Sequence, residues 1–209
     1  MGLRLMVYDR TCTDTRWRGA AAPVGLTHTW QVGGAGYSAL GRLDAWAGAS
    51  TWDEALGWIA QVSPSEPISE IQYWGHGQRG RVRIDAEALT RASLGPTAPH
   101  RRVLEQIRER MDPAGQWWFR TCDTFGGQAG QSFAAAWTEF FGCAAAGHTH
   151  VIGPWQSGLH RIAPGAAPHW SAWEGLAEGT PQHPGRSLWS APWRPNTITC
   201  LHGAVPEGW

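Results

Sequence analysis

The chain has 209 residues, enough for one domain with a real core, and balances 17 basic against 17 acidic side chains for a net charge of +0. Every basic residue is an arginine, which removes a Schiff-base lysine and a phosphate-loop lysine; no basic run interleaves with aromatics, which argues against a nucleic-acid partner. No apolar run approaches the roughly 18 residues that cross a bilayer, and the four cysteines (Cys12, Cys122, Cys143, Cys200) form no CxxC pair, against a zinc ribbon or a disulfide framework.

Leu3 to Tyr8 reads as a first strand. It lacks the basic head, long apolar stretch and small-residue cleavage site of a signal peptide, so a cytoplasmic protein with reduced thiols and no membrane partner is expected. Cys12 to Gly41 is rich in Gly, Ala and Thr without a clean period, and reads as loop with a hairpin around Trp30-Gln31-Val32. Thr51 with Glu54 three residues on is a capping box that starts a helix, whose apolar face is Ala55, Leu56, Trp58 and Ile59 and which Pro64 and Pro67 end. Ile68 to Trp74 is the next strand, with Gly75-His76-Gly77 as the turn at its end. Gly80 to Asp85 alternates like a small edge strand, and Asp85 to Leu89 reads as a helical turn.

Pro99 to Met111 carries Val103, Leu104, Ile107 and Met111 at helical spacing, and Asp112-Pro113 ends it. Gln116 to Thr121 is a buried strand that stops at Cys122. After the Gly126-Gly127 turn, Ala129 to Phe141 is a helix with Phe133, Ala136, Trp137 and Phe140 on one side and Gly142 as its cap. Cys143 to Gly147 with Val151-Ile152 is the following strand. Strands alternating with helices predict an α/β fold with a largely parallel sheet.

From Gly153 the pattern changes: Pro and Gly are frequent, Trp recurs and helical periodicity vanishes. Residues 1–153 read as the α/β core. Residues 154–209 read as a Trp-, Pro- and Gly-rich extension of loops and a hairpin or two, draped over the sheet edge without being a domain of its own. With 15 tryptophans, most indoles must pack against something.

Ligands of parallel α/β sheets bind outside the carboxyl ends of the strands, and His76 and Cys122 both lie just past such an end. If the two strands are neighbours, a thiol meets an imidazole, a nucleophile with its base. The helix after Cys122 would add its N-terminal dipole to the thiol's surroundings, and the backbone N–H groups of Gly77 and Cys122 would hold an oxyanion. No metal and no cofactor is needed. His148-Thr149-His150 near Cys143 offers two clear ligands where zinc needs three or four. A GxSxG elbow, an HExxH motif and a dinucleotide fingerprint are all missing from the sequence.

An apolar strand, His-Gly, a second apolar strand and then Cys is the order shared by the caspase-like superfamily of cysteine peptidases, and the segment from Tyr73 to Gly153 resembles it. The run from Cys122 through Gly126-Gly127 and Ala129-Gly130 to Phe133, followed by Ala144-Ala145-Ala146-Gly147, is most similar to bacterial caspase-like domains. The resemblance implies a three-layer α/β/α sandwich and a cysteine endopeptidase acting on a protein or peptide substrate. Cys122 would be the nucleophile and His76 its partner. Family members that cut after Arg or Lys place an acid near the end of the first strand, a position that Asp9 matches. Asp123 beside the nucleophile is a second candidate for substrate binding, and Trp170 with Trp173 would wall a neighbouring subsite; a loop acid, a turn residue and packing indoles are the plain alternatives. Arg120-Thr121 departs from the acidic or glutamine residue common before the nucleophile. An inactive relative that binds partners through a Trp-rich surface is the competing reading.

Overall fold

The computed structural model describes residues 2–14, 16–17, 20–21 and 25–209, with the backbone alone for residues 16–17 and 20–21. Strand β1 (Leu3–Asp9) is buried from Leu5 onward; β2 (Arg16–Trp17) and β3 (Ala20–Ala21) pair with each other. Helix α1 (Leu26–Ala39) then occupies nearly half of the stretch expected to be loop, and Trp30-Gln31-Val32 lies inside it rather than in a hairpin. Gly33, Gly34 and Gly36 hide this helix, because glycine is a poor helix former. Tertiary packing overrides the propensity: a Cβ on Gly33 would stand 2.7 Å from the Trp74 ring, and one on Gly34 2.9 Å from the Trp46 ring. Gly33 and Gly34 let α1 lie close against the sheet.

Strand β4 (Ala45–Ala49) leads into α2 (Trp52–Gln61), where the Glu54 N–H donates to Thr51 Oγ1 at 3.2 Å, half of the expected capping box. The other half is absent, since Glu54 turns to the Ser50 N–H at 2.8 Å and to Arg10. Strand β5 (Ile68–Trp74) is followed by a small antiparallel sheet of β6 (His76–Gln78), β7 (Arg81–Ile84) and β8 (Glu87–Thr90). The helical turn expected over Asp85 to Leu89 is therefore a hairpin, with Asp85 in the left-handed region at φ 50°. Helix α3 (Arg101–Arg110) runs into β9 (Met111–Arg120), which starts earlier than expected. Its pairing with β5 jumps from Ile68↔Met111 to Glu70↔Gln116, so Pro113 sits in a looped-out stretch where its missing N–H costs the ladder nothing.

Helix α4 (Gly127–Phe141) ends at Gly142, whose φ of 65° is the left-handed cap that glycine adopts without strain. The chain closes with β10 (Ala144–His148), β11 (Trp155–Gln156), β12 (Leu159–Ile162) and β13 (Ile198–Thr199). The central sheet has the order β4-β1-β5-β9-β10-β12, parallel throughout except for β12. The expected α/β architecture with a mostly parallel sheet is thus present. The boundary at residue 153 does not separate a core from an appendage, because β12 of the extension is an edge strand of the main sheet.

Side chains alternate between the two faces of each strand. On one face Leu5, Val7, Ile71, Tyr73, Trp117 and Phe119 meet Trp52 and Leu56 of α2, Ile107 of α3 and Phe133 and Trp137 of α4. On the other, Met6, Tyr8 and Trp74 meet Tyr37 of α1, while Trp118, Ala146 and Leu159 are covered by Ile198, Val205 and Trp209. The second outer layer is therefore half helix and half C-terminal coil. That coil also closes the β12 edge: the Leu159 N–H donates to the Asn196 carbonyl at 3.1 Å and the Arg161 N–H to the Trp209 carbonyl at 2.9 Å. Most described indoles are packed as expected, whereas Trp155, Trp173, Trp189 and Trp193 are exposed. Among the described residues no helix is long and apolar enough to cross a membrane.

Candidate active site

Strands β5 and β9 are hydrogen-bonded parallel neighbours, and Trp74 is in register with Arg120. Parallel neighbours lie about 4.8 Å apart. His76 and Cys122 each follow two residues beyond that matched pair, so the expectation that the two strand ends adjoin is met. The turns themselves touch. A Cβ on Gly77 would overlap Thr124 Oγ1 and stand 2.6 Å from Thr121 Oγ1, and the Gly80 N–H donates to the Thr124 carbonyl at 2.9 Å. Glycine at 77 is what lets the His76 hairpin lie directly on the Cys122 turn. That turn is pinned to the far end of β10 by the Asp123 N–H on the His150 carbonyl and the Phe125 N–H on the His148 carbonyl, each 2.9 Å.

His76, Gly77, Cys122 and Asp123 line one cavity of about 740 Å³, with Val151, Trp189 and residues 185–188 on its far side. Cys122 is half-buried and its Sγ lies 3.9 Å from the Ile152 carbonyl. His76 is exposed at the rim, with the Trp30 ring edge-on at 5.6 Å. Removal of water by the surrounding protein lowers the His76 pKa, the Asp9 carboxylate pulls it back up and the Arg83 guanidinium lowers it again. Two other thiols are set by their burial. Cys143 is sealed in the core and pushed up to about 12 by burial, and burial also raises Cys12. Thiols held that way are poor nucleophiles.

Asp9 does not line the cavity. It is wholly buried at the end of β1, one residue past the Tyr8↔Trp74 pair and so beside Gly75. Its Oδ1 accepts from the Thr11 N–H at 2.8 Å and hydroxyl at 2.7 Å, and its Oδ2 has no hydrogen-bond partner among the described residues. Its reach is electrostatic, through the field it exerts on His76. Asp9→Asn keeps the shape and removes that field, so the His76 pKa should fall further below its ordinary value, read directly by NMR titration of the ring protons. An unmoved midpoint would remove Asp9 from the site.

Asp123 does line the cavity, but its carboxylate is taken. Arg79 Nε lies 3.1 Å from Oδ2, and the Ser187 hydroxyl donates to the same oxygen. Burial outweighs both and pushes Asp123 up to about 6. Trp170 is placed away from the cavity, which corrects its reading as a subsite wall. It is 5% exposed, stacked between Phe125 and His160, and donates its indole N–H to the Phe125 carbonyl at 3.0 Å. Trp173 is exposed and also lies outside the lining.

Helix α4 begins at Gly127, and its Gln128 N–H donates to the Pro181 carbonyl at 3.2 Å, so a loop carbonyl occupies the helix N-terminus. His148 is fully buried with Nδ1 against the Ser157 carbonyl and is pushed down to about 3 by burial; burial also pushes His150 down to about 4. Among the described residues no group of three or more His, Cys, Asp or Glu side chains is arranged to hold a metal. Arg79 and Ser187 escaped the sequence reading. Arg79 was within reach as the residue closing the His76 hairpin, whereas nothing local marks Ser187.

The fold and this pair of strand ends define a class: an α/β sandwich presenting one histidine turn and one cysteine turn at the carboxyl edge of a parallel sheet. Residues 51–159, just over half of the chain, match the family described as a domain of unknown function (DUF4347), and the chain belongs to that family. The matched span includes both turns and leaves out β1, α1 and most of the C-terminal coil. No curated protein matches the chain.

Proposed function

We propose that the protein is a cysteine endopeptidase of caspase-like type, with Cys122 as nucleophile and His76 as its acid and base. The observation that carries this reading is the Trp74↔Arg120 register, which ends two adjacent strands at one level and gives both turns to one cavity. The resemblance of the Tyr73–Gly153 segment to caspase-like peptidases supports it. Cys122 Sγ, as thiolate, attacks the scissile carbonyl carbon; the N–H groups of Gly77 and Cys122 receive the oxyanion. His76 gives the proton it took from the thiol to the leaving amine, and the C–N bond breaks to leave a thioester. His76 then takes a proton from water as the hydroxyl attacks, and the thiol is regenerated with the acid product.

A second reading, a non-catalytic binding protein, is favoured by one observation: Trp173 and Trp193 are 60% and 81% exposed. One experiment separates the two. The pure protein is incubated with a peptide library and the products read by mass spectrometry, with the Cys122→Ala variant alongside. Cleavage by the parent and none by the variant is expected. Cleavage by both would remove Cys122 from the chemistry, and cleavage by neither would favour the binding protein.

A further inference from the structure

Asp123 and Arg79 form the most deeply buried ion pair among the described residues, with side chains 5% and 6% exposed. Neither is used by the two-residue chemistry. Each is joined to half of it: Asp123 follows Cys122 directly, and Arg79 stands at the turn between β6, which carries His76, and β7. The third participant comes from the C-terminal coil. Ser187 Oγ accepts from Arg79 Nη2 and donates to Asp123 Oδ2, and Arg79 Nη1 donates to the Gly185 carbonyl at 2.9 Å.

Ser187 belongs to an arm that folds back on itself through the antiparallel bridges Leu176↔Ser187 and Gly179↔Pro184. The arm returns to the body at Trp189, which bridges Val151 next to the Cys122 turn. Ala177, Gly185, Arg186 and Leu188 of this arm form the wall facing His76 and Cys122. Two turns and one arm thus meet at a single buried junction. A carboxylate held between a guanidinium and a hydroxyl fixes three groups at once, and losing the anion would leave Arg79 buried with its charge unanswered.

We propose that the Asp123–Arg79–Ser187 junction is the positioning device of the site, holding the His76 hairpin against the Cys122 turn and seating the 176–189 arm as the wall that receives the peptide. The inference rests on the peptidase reading and deepens it. Asp123 acts through its neighbours and does not touch substrate. Ser187 governs the arm, and through it substrate affinity. The ion pair governs the mutual placement of imidazole and thiol, and through it turnover.

The test uses the full chain and two readouts. The first is the rate at which iodoacetamide alkylates Cys122 across pH, which needs no peptidase activity. Its low-pH limb is set by His76 and by the groups around it: Asp9 from β1, Arg83 from β7 and the Trp30 ring from α1. The second is trypsin cleavage after Arg186 in the arm. Asp123→Asn is expected to slow alkylation at neutral pH at least tenfold, to erase the limb that His76→Ala also erases, and to lower kcat about 100-fold. Arg79→Ala is expected to do the same, and Arg79→Lys, which keeps the charge, to keep part of the parent's behaviour in each. The Arg186 side chain is already exposed, so Ser187→Ala is expected to speed trypsin cleavage after it by loosening the arm's backbone, and to raise KM more than it lowers kcat.

If Asp123→Asn and Ser187→Ala both keep the parent's alkylation profile and trypsin protection, the proposal is overturned. Should Asp123→Asn fail to fold, Ser187→Ala decides through Arg186 protection. If the parent cleaves no peptide while Asp123→Asn still loses the His76-dependent limb, the peptidase reading falls and the positioning role stands.

Discussion

His76→Ala is expected to lower kcat/KM for peptide cleavage by about 10²–10⁴, the range supplied by a positioned acid and base. Cys122→Ala is expected to reduce it to background. The double variant should be no worse than Cys122→Ala alone, because residues that act as one unit do not contribute additively. His76 is exposed at the cavity rim, its ring set edge-on to Trp30, so its removal should leave thermal unfolding close to the parent's. Initial rates on a library-derived peptide, with a melting curve for each variant, check all three statements. Equal rates for parent and His76→Ala would show that the imidazole at the strand end does no chemistry.

Arg120→Ala is expected to destabilise the protein by about 3–5 kcal/mol, the sum of a large-to-small change in a packed site and orphaned acceptors around a lost cation. Arg120 is 2% exposed and lies between the rings of Trp74 and Trp118, its Cζ 4.4 Å from each centroid. It donates to the Tyr37 hydroxyl at 2.7 Å and to the carbonyls of Cys200 at 2.8 Å and His202 at 3.1 Å. One side chain on β9 thus ties the end of α1 and the C-terminal coil to the sheet. Burial lowers the Arg120 pKa, a sign that its charge is held at a cost. Arg120→Met fills most of the volume without the charge and should lose less than Arg120→Ala. Urea unfolding monitored by tryptophan fluorescence measures both. An Arg120→Ala protein as stable as its parent would mean that the coil is held by its apolar contacts alone.

Arg120 also shows where sequence reading stops. In the chain it is only the residue that departs from a familiar pattern before a cysteine. Its hydrogen-bond partners lie 36 to 83 positions away at residues 156, 200, 202 and 37, and no local periodicity announces them. The same holds for Ser187, 64 positions from Asp123. Asp123 looked available to a substrate because the sequence shows only its neighbour Cys122 and not the guanidinium that occupies it. Trp170 looked like a surface wall for the same reason, and its place is between two buried rings. Helix α1 was hidden because its glycines lower helical propensity, and the reward for them, close approach of Trp46 and Trp74, appears only once the sheet exists.

What the residues determined unaided is the part governed by local physics. Apolar runs that stop at glycine or a reactive side chain marked β5, β9 and β10, Thr51 marked the start of α2, and Gly142 marked the end of α4. The order of the histidine and cysteine turns along the chain was likewise readable. Tertiary structure alone decided that the two turns adjoin, that the C-terminal coil replaces a helix over half of one sheet face, and that Arg79 and Ser187 close on Asp123. Backbone preference and side-chain period act over a few residues, whereas burial pairs groups by distance in space, and a chain records those pairings only by folding.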